Sequence, residues 1–229
     1  MGYTHYWHRT EVIQQKAFQA IRADFERLLL PLADAGVELA GGLGEGAPEI
    51  TGELIRFNGL DQCGHPKNED IVIPYPSEDA EGIGSSATAL DESDSGLITR
   101  VKHRCCNGRC SYETFHFPRR LKKEEHGDPD ENGLYIDYVK TGFRPYDIAV
   151  TAALLIAKRH LKERFQIASN GGDCQWADAR RICQRVLGYG DWFGIVEEAI
   201  VEEWPGDPPR TREVLVRTLV EVDPAALSS

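Results

Sequence analysis

Two short clusters of cysteine and histidine carry the clearest chemistry in this sequence. Cys63-Gly64-His65 is one; His103-Arg104-Cys105-Cys106, with Cys110 four residues further on, is the other. Thiolate and imidazole are the ligands that zinc takes in tetrahedral sites, at about 2.0–2.3 Å. In a reducing cytoplasm the six cysteines of the chain point to metal or free thiols before disulfides. If the segments bearing the clusters are adjacent, Cys63, His65, Cys106 and Cys110 converge on one zinc ion. The paired Cys-x-x-Cys of a zinc ribbon is missing, so unliganded thiols beside turns compete with that reading. Cys183, on a helical stretch, reads as core packing.

A second kind of chemistry centres on the opening residues. In Tyr3-Thr4-His5-Tyr6-Trp7-His8, period two puts Tyr3, His5 and Trp7 on one face of a strand and Thr4, Tyr6 and His8 on the other. Rings with polar tips need partners when buried, which singles out His5. As an acid/base residue His5 would be oriented by Asp147 or Asp137, with Arg56 or Arg144 holding an anion. The competing reading is a hydrogen-bonded core histidine. Trp176, after Ser169-Asn170-Gly171-Gly172-Asp173 at a helix start, either stacks on a base or covers the core. Backbone N–H groups at such a start bind phosphate, though Asp173 and Asp178 oppose an anion there.

Other motifs fail on context. Gly41–Gly46 resembles a phosphate loop but follows a helix, and Pro48 stands in the way of one behind it, so it reads as a connector. Asp128-Pro129-Asp130-Glu131-Asn132-Gly133 matches half of a calcium loop, but Val139 stands where the bidentate Glu belongs. A hairpin turn explains it. No nucleophile elbow, zinc-protease helix, Walker loop or kinase set is present.

The elements that must position these residues follow from periodicity. Thr10 is the expected N-cap of a helix whose apolar face is Ile13, Ala17, Ala20, Ile21, Phe25, Leu28 and Leu32, with Pro31 kinking or ending it and Gly36 closing it. Strands are expected at 53–57, 69–74, 97–103 and 111–118. Asn58-Gly59 and Asn107-Gly108 read as turns of two related hairpins within 53–118. A further strand spans 134–140. Pro145 opens a helix over about 145–163 that is apolar nearly all round and therefore central. A strand at 165–169, a helix at 176–187 stopped by Gly188, a short amphipathic helix at 191–203, a linker at 205–210 and an edge strand at 213–222 complete the chain. The expected fold is α+β, with a mainly antiparallel sheet around the central helix. Residues 1–190 read as one domain and 191–229 as an acidic C-terminal extension.

The opening Met-Gly-Tyr-Thr-His-Tyr-Trp, together with Arg56-Phe57-Asn58-Gly59, Glu113-Thr114-Phe115 before Pro118-Arg119, and Arg144-Pro145-Tyr146-Asp147 leading into Leu154-Leu155-Ile156-Ala157-Lys158, resembles a protein family of bacteriophage and bacterial genomes. The resemblance covers roughly residues 1–190. It implies a phage or mobile-element setting, hence the host cytoplasm, and carries no assigned activity.

Charge narrows the partners. The net charge of −11 argues against indiscriminate nucleic-acid or lipid binding. No apolar run approaches the roughly 18 residues of a membrane span, no signal peptide is evident, and Tyr6 stands where a myristoylation motif wants Ser or Thr. A basic strip (Arg100, Lys102, Arg104, Arg109, Arg119, Arg120, Lys122, Lys123) faces a single Glu113, and acids predominate after Asp191. The strip suits a small anionic, nucleotide-like ligand, or else pairs with the chain's own acidic tail. Three readings follow. The first is a binding protein whose pocket uses Tyr3, His5, Trp7, Arg56, Arg119, Arg144 and Trp176, sequestering a host signal. The second is a hydrolytic or nucleotide-modifying enzyme acting through His5 and Asp147. The third is an interaction module whose tail (Trp192, Phe193, Trp204) docks a host or phage protein. A homo-oligomer is compatible with each.

Overall fold

A computed structural model describes residues 3–67, 70–72, 89–93, 96–100, 103–204 and 210–221. In chain order the elements are β1 (Thr4–Arg9), α1 (Gln15–Asp34), β2 (Leu39–Ala40), β3 (Glu49–Ile50) and β4 (Leu54–Gly59). Then come β5 (Asp70–Val72), β6 (Ala89–Ser93), β7 (Gly96–Arg100), β8 (His103–Cys105) and β9 (Phe115–Pro118). The rest is β10 (Tyr135–Lys140), α2 (Asp147–Leu161), β11 (Phe165–Ser169), α3 (Asp173–Leu187), β12 (Phe193–Trp204) and β13 (Arg210–Glu221). The fold is α+β, and every strand pairing described is antiparallel.

The five-stranded sheet has the order β10-β1-β11-β13-β12. As the alternation of the opening residues predicts, β1 lies inside it, paired to β10 and β11 on its two sides. His5, Trp7 and Arg9 turn inward to the core, which α1, α2 and α3 complete. α2 is buried nearly all round, as its composition predicts. Phe57, Phe115 and Phe117 from the smaller sheet join Trp7, Phe18 and Phe25 in a continuous aromatic stack. No helix among the described residues is long and apolar enough to cross a membrane.

Residues 53–118 form one nested arm rather than two successive hairpins. β4 pairs with β9, β5 with β8 and β6 with β7, so the outgoing half of the arm lies against the returning half. Asn58-Gly59 accordingly sits at the end of β4 and makes no turn, because Gly59 pairs with Leu39 of β2. Asn107-Gly108 does turn, with positive φ at both residues and Arg109 N–H closing on Cys106 O at 2.9 Å.

Four local expectations change. Thr10 does not cap α1: Ile13 N–H and Leu121 N–H bond Arg119 O and Glu11 O (each 2.9 Å), and this bridge holds 11–13 extended until the helix starts at Gln15. Pro31 lies within the last turns without ending the helix, which closes at Gly36 (φ +80°). The helix expected over 191–203 is strand β12. Its β-branched residues Ile195, Val196, Ile200 and Val201 pair with β13 over twelve positions, and that partner overrides an ambiguous local pattern. β13 is interior rather than an edge, and Ala168 of β11 opposite Thr218 ties the chain beyond residue 190 into the main sheet. The linker expected at 205–210 and Arg100 and Lys102 of the basic strip fall wholly or partly outside the described residues.

Candidate metal centre and the buried network beside it

Two tight turns, one on each half of the nested arm, face one another. Gly64, with φ +73°, lets Cys63 and His65 project to the same side. The Cys106–Cys110 turn supplies the second pair across the arm. The side-chain ligand atoms of Cys63, His65, Cys106 and Cys110 all lie within 4.8 Å of one another, a set able to hold a metal ion. Cys63 Sγ is 3.7 Å from Cys106 Sγ, and Cys110 Sγ is 3.4 Å from His65 Nδ1. A disulfide would need about 2.05 Å between sulfurs, so these are free thiols. Cys106 and Cys110 are buried, and Cys63, His65 and Cys110 together line a cavity of about 130 Å³ with Glu38, Leu60 and Pro145.

The thiols share charge unequally. Burial opposes ionisation of Cys63, yet the His65 backbone N–H and hydrogen bonds with Cys110 and Cys106 outweigh it and draw its thiol below the ordinary value. Burial pushes the Cys110 thiol up, and proximity to Cys63 and Cys106 adds to the rise. Three sulfurs at this spacing need a cation between them if all are to be thiolates.

The scaffold around the cluster is built from residues for which the sequence suggests other roles or none. The Asn58 side chain donates to Gly42 O (3.2 Å) and Tyr112 O (3.0 Å), and accepts from Tyr112 N–H and Gly59 N–H. Asp61 receives Arg109 Nε and the Ser111 hydroxyl, each at 2.9 Å. These bonds pin the returning half of the arm to the outgoing half on either side of Cys110. Asn58 was visible in the sequence as an Asn-Gly pair, but its role here is bridging.

Two residues before Cys106 the arm enters the core. Arg104 is fully buried; Nη1 donates to Asp147 Oδ2 at 2.7 Å and Nη2 to Asp178 Oδ2 at 3.2 Å, and the guanidinium lies 4.2 Å from the Phe143 ring centroid. Burial lowers its proton affinity, but the two carboxylates reverse the effect and raise it. Asp147, the first residue of α2, also receives His5 Nε2 at 2.7 Å and the Thr141 hydroxyl at 2.6 Å. Burial would raise its carboxyl; His5, Arg104 and these hydrogen bonds win and hold it at about 2.

His5 and Asp147 are thus brought together as the sequence suggests, and both are fully enclosed. Ser169 Oγ accepts Gly171 N–H (2.9 Å) and Trp176 Nε1–H (3.4 Å), which occupies its lone pairs and leaves its proton for His5 Nδ1 at 2.9 Å. Serine, imidazole and carboxylate stand in a line familiar from acyl transfer. Enclosed and with its acceptor sites taken, this line braces β1, β11 and α2 against one another.

The remaining expected ligand residues are dispersed. Tyr3 packs edge-on to His5 and Phe143, its hydroxyl pushed up chiefly by burial, with Asp147 adding to the rise. Trp7 joins the phenylalanine core, and Trp176 meets His5 edge-on at 5.3 Å. Arg56 pairs with Glu49 (2.7 Å) and Arg119 with Glu53 (2.8 Å), so these basic residues engage nearby acids. Arg144 lies in the turn before α2, its N–H on Thr141 O. Asp137 faces His126 at 3.6 Å, while His5 takes Asp147. The half calcium loop is an Asx turn: Asp130 Oδ1 accepts Asn132 and Leu134 N–H.

Set beside known proteins, the chain matches no protein-family model, no curated protein and no solved structure.

Proposed function

We propose that this is a zinc-binding protein whose ion, held by Cys63, His65, Cys106 and Cys110, fastens the two halves of the nested arm and seats the arm on the core. One observation carries the reading. Tetrahedral zinc places two sulfurs about 3.8 Å apart and a sulfur and a nitrogen about 3.6 Å apart. The Cys63–Cys106 and Cys110–His65 separations, 3.7 and 3.4 Å, approach those values along two opposite edges of one tetrahedron. A three-thiolate, one-imidazole set favours zinc over harder cations, and four protein ligands fill its shell, which suits a structural ion. The need is physical as well: β5 and β8 form a two-stranded ribbon of three residue pairs, too small to be stable in water without support.

The test is metal content. Purified without chelator, the protein should carry one zinc per chain by native mass spectrometry and elemental analysis. Thiol-specific labelling should then spare Cys63 until a chelator is added. A chain that takes up no zinc under reducing conditions would falsify the reading.

A further inference from the structure

Arg104 is bound in its pocket as a ligand would be. Two carboxylates on different helices, Asp147 at the start of α2 and Asp178 within α3, each accept one of its terminal nitrogens, and the Phe143 ring stacks beside the guanidinium. The pocket belongs to the helical core, while its occupant arrives on β8, a strand outside the main sheet. What the pocket recognises is a planar cation with paired donors and a stackable face.

We infer that Asp147, Asp178 and Phe143 form a guanidinium-binding site which the chain fills with its own Arg104, and that metal occupancy at the neighbouring Cys106 keeps it filled. The inference rests on the zinc reading above. Arg104 and Cys106 are separated by one residue, so an ion that fixes Cys106 also limits where the guanidinium can go. Coupling of this kind is reciprocal: seated Arg104 presents Cys106 and Cys110 to the metal, and bound metal retains Arg104. Loss of the metal frees the ribbon, and the carboxylate pair, with His5 behind it, becomes available to an external guanidinium such as the side chain of an arginine-bearing partner.

Three measurements on the full chain test this. Zinc affinity is determined by chelator competition for wild type and Arg104→Ala. The variant should bind zinc at least roughly tenfold more weakly, the usual scale for losing an outer contact of a metal site. Millimolar ethylguanidinium should restore most of the affinity, whereas sodium chloride at equal ionic strength should not. Because Arg104→Ala leaves two buried carboxylates uncompensated and risks misfolding, the wild type is also followed by ¹⁵N-histidine NMR. Chelation should shift the His5 ring signals, and ethylguanidinium added to the metal-free protein should return them. If wild type binds zinc stoichiometrically but its His5 signals ignore chelation, or Arg104→Ala keeps its zinc affinity within twofold, the coupling is wrong and the zinc reading stands. If wild type binds no zinc, both fall together.

Discussion

Gly59 lies against the backbone of Cys110: a Cβ built on Gly59 would stand 2.2 Å from the Cys110 carbonyl oxygen. The end of β4 therefore touches the loop that presents Cys110 to the proposed metal site, and no side chain fits between them. Gly59→Ala must push that loop away. The expected cost is about 1–3 kcal/mol, as for other overpacked sites, with a matching loss of zinc affinity. Thermal melts with and without added zinc measure both. Unchanged melting and affinity would show that the loop yields freely and does not position Cys110.

Metal removal should destabilise the wild type and spare variants already lacking a ligand. With free zinc at about a hundredfold above its dissociation constant, binding contributes roughly 2.7 kcal/mol. Cys63→Ser and Cys110→Ser should lose that increment, so chelator lowers their melting temperature far less than that of wild type. Cys174→Ser, at an exposed thiol outside the cluster, should respond to chelator as wild type does. Equal chelator responses in all four proteins would sink the assignment of the ligands.

The chemistry of both sites was legible in the sequence to the extent that residue type limits it. Cysteine and histidine are scarce, so Cys63, His65, Cys106 and Cys110 could be grouped once their segments were imagined adjacent. His5 and Asp147, 142 positions apart, could be paired because one lies on a ring-rich buried strand and the other opens the most apolar helix. The nesting of the arm was not legible, since two similar strand–turn patterns look the same whether each folds on itself or both fold together. Arg104 was hidden inside a run of basic residues, where nothing local distinguishes a core guanidinium from a solvated one. Asp178 was hidden likewise, its burial being set by what α3 packs against. β12 was misread because residues 193–203 satisfy a helical spacing as well as an alternating one, and its partner β13 decides between them.

Acid should unfold the protein partly through Asp147. Its carboxyl is held at about 2, below the ordinary value of 3.8. A lowered folded-state value stabilises the fold above the unfolded-state value, and that stability is lost as pH falls through the folded one. Between about pH 4 and pH 2 the group gives up roughly 2 kcal/mol. Asp147→Asn removes this contribution and leaves Arg104 partly unpaired, so it should be less stable than wild type at pH 7, by about 3–5 kcal/mol. The gap should narrow as pH drops from 5 to 2. Urea titrations of the two proteins across that range, run at the same saturating zinc so that thiolate protonation enters both alike, give the answer. A gap independent of pH would mean that the Asp147 carboxylate is not what stabilises the network.

The chain beyond residue 190 should prove indispensable to folding. Phe193 and Leu219 are fully buried members of the main core. Arg180 donates to Phe193 O at 2.8 Å, Ile195 N–H to Asp173 Oδ1 at 3.0 Å, and Arg159 reaches Glu221 at 2.9 Å while lying over Trp192. Removing 191–229 strips these contacts from α2 and α3 and exposes β11 as a raw sheet edge, a template for self-association. Deleting one fully buried aromatic commonly costs about 3–5 kcal/mol, a large fraction of the roughly 5–15 kcal/mol that holds a domain folded. The truncated chain should therefore aggregate or lose cooperative unfolding, by circular dichroism and size-exclusion chromatography. If residues 1–190 instead fold cooperatively as a monomer, β12 and β13 are an appendage, and a docking role for that hairpin regains its place.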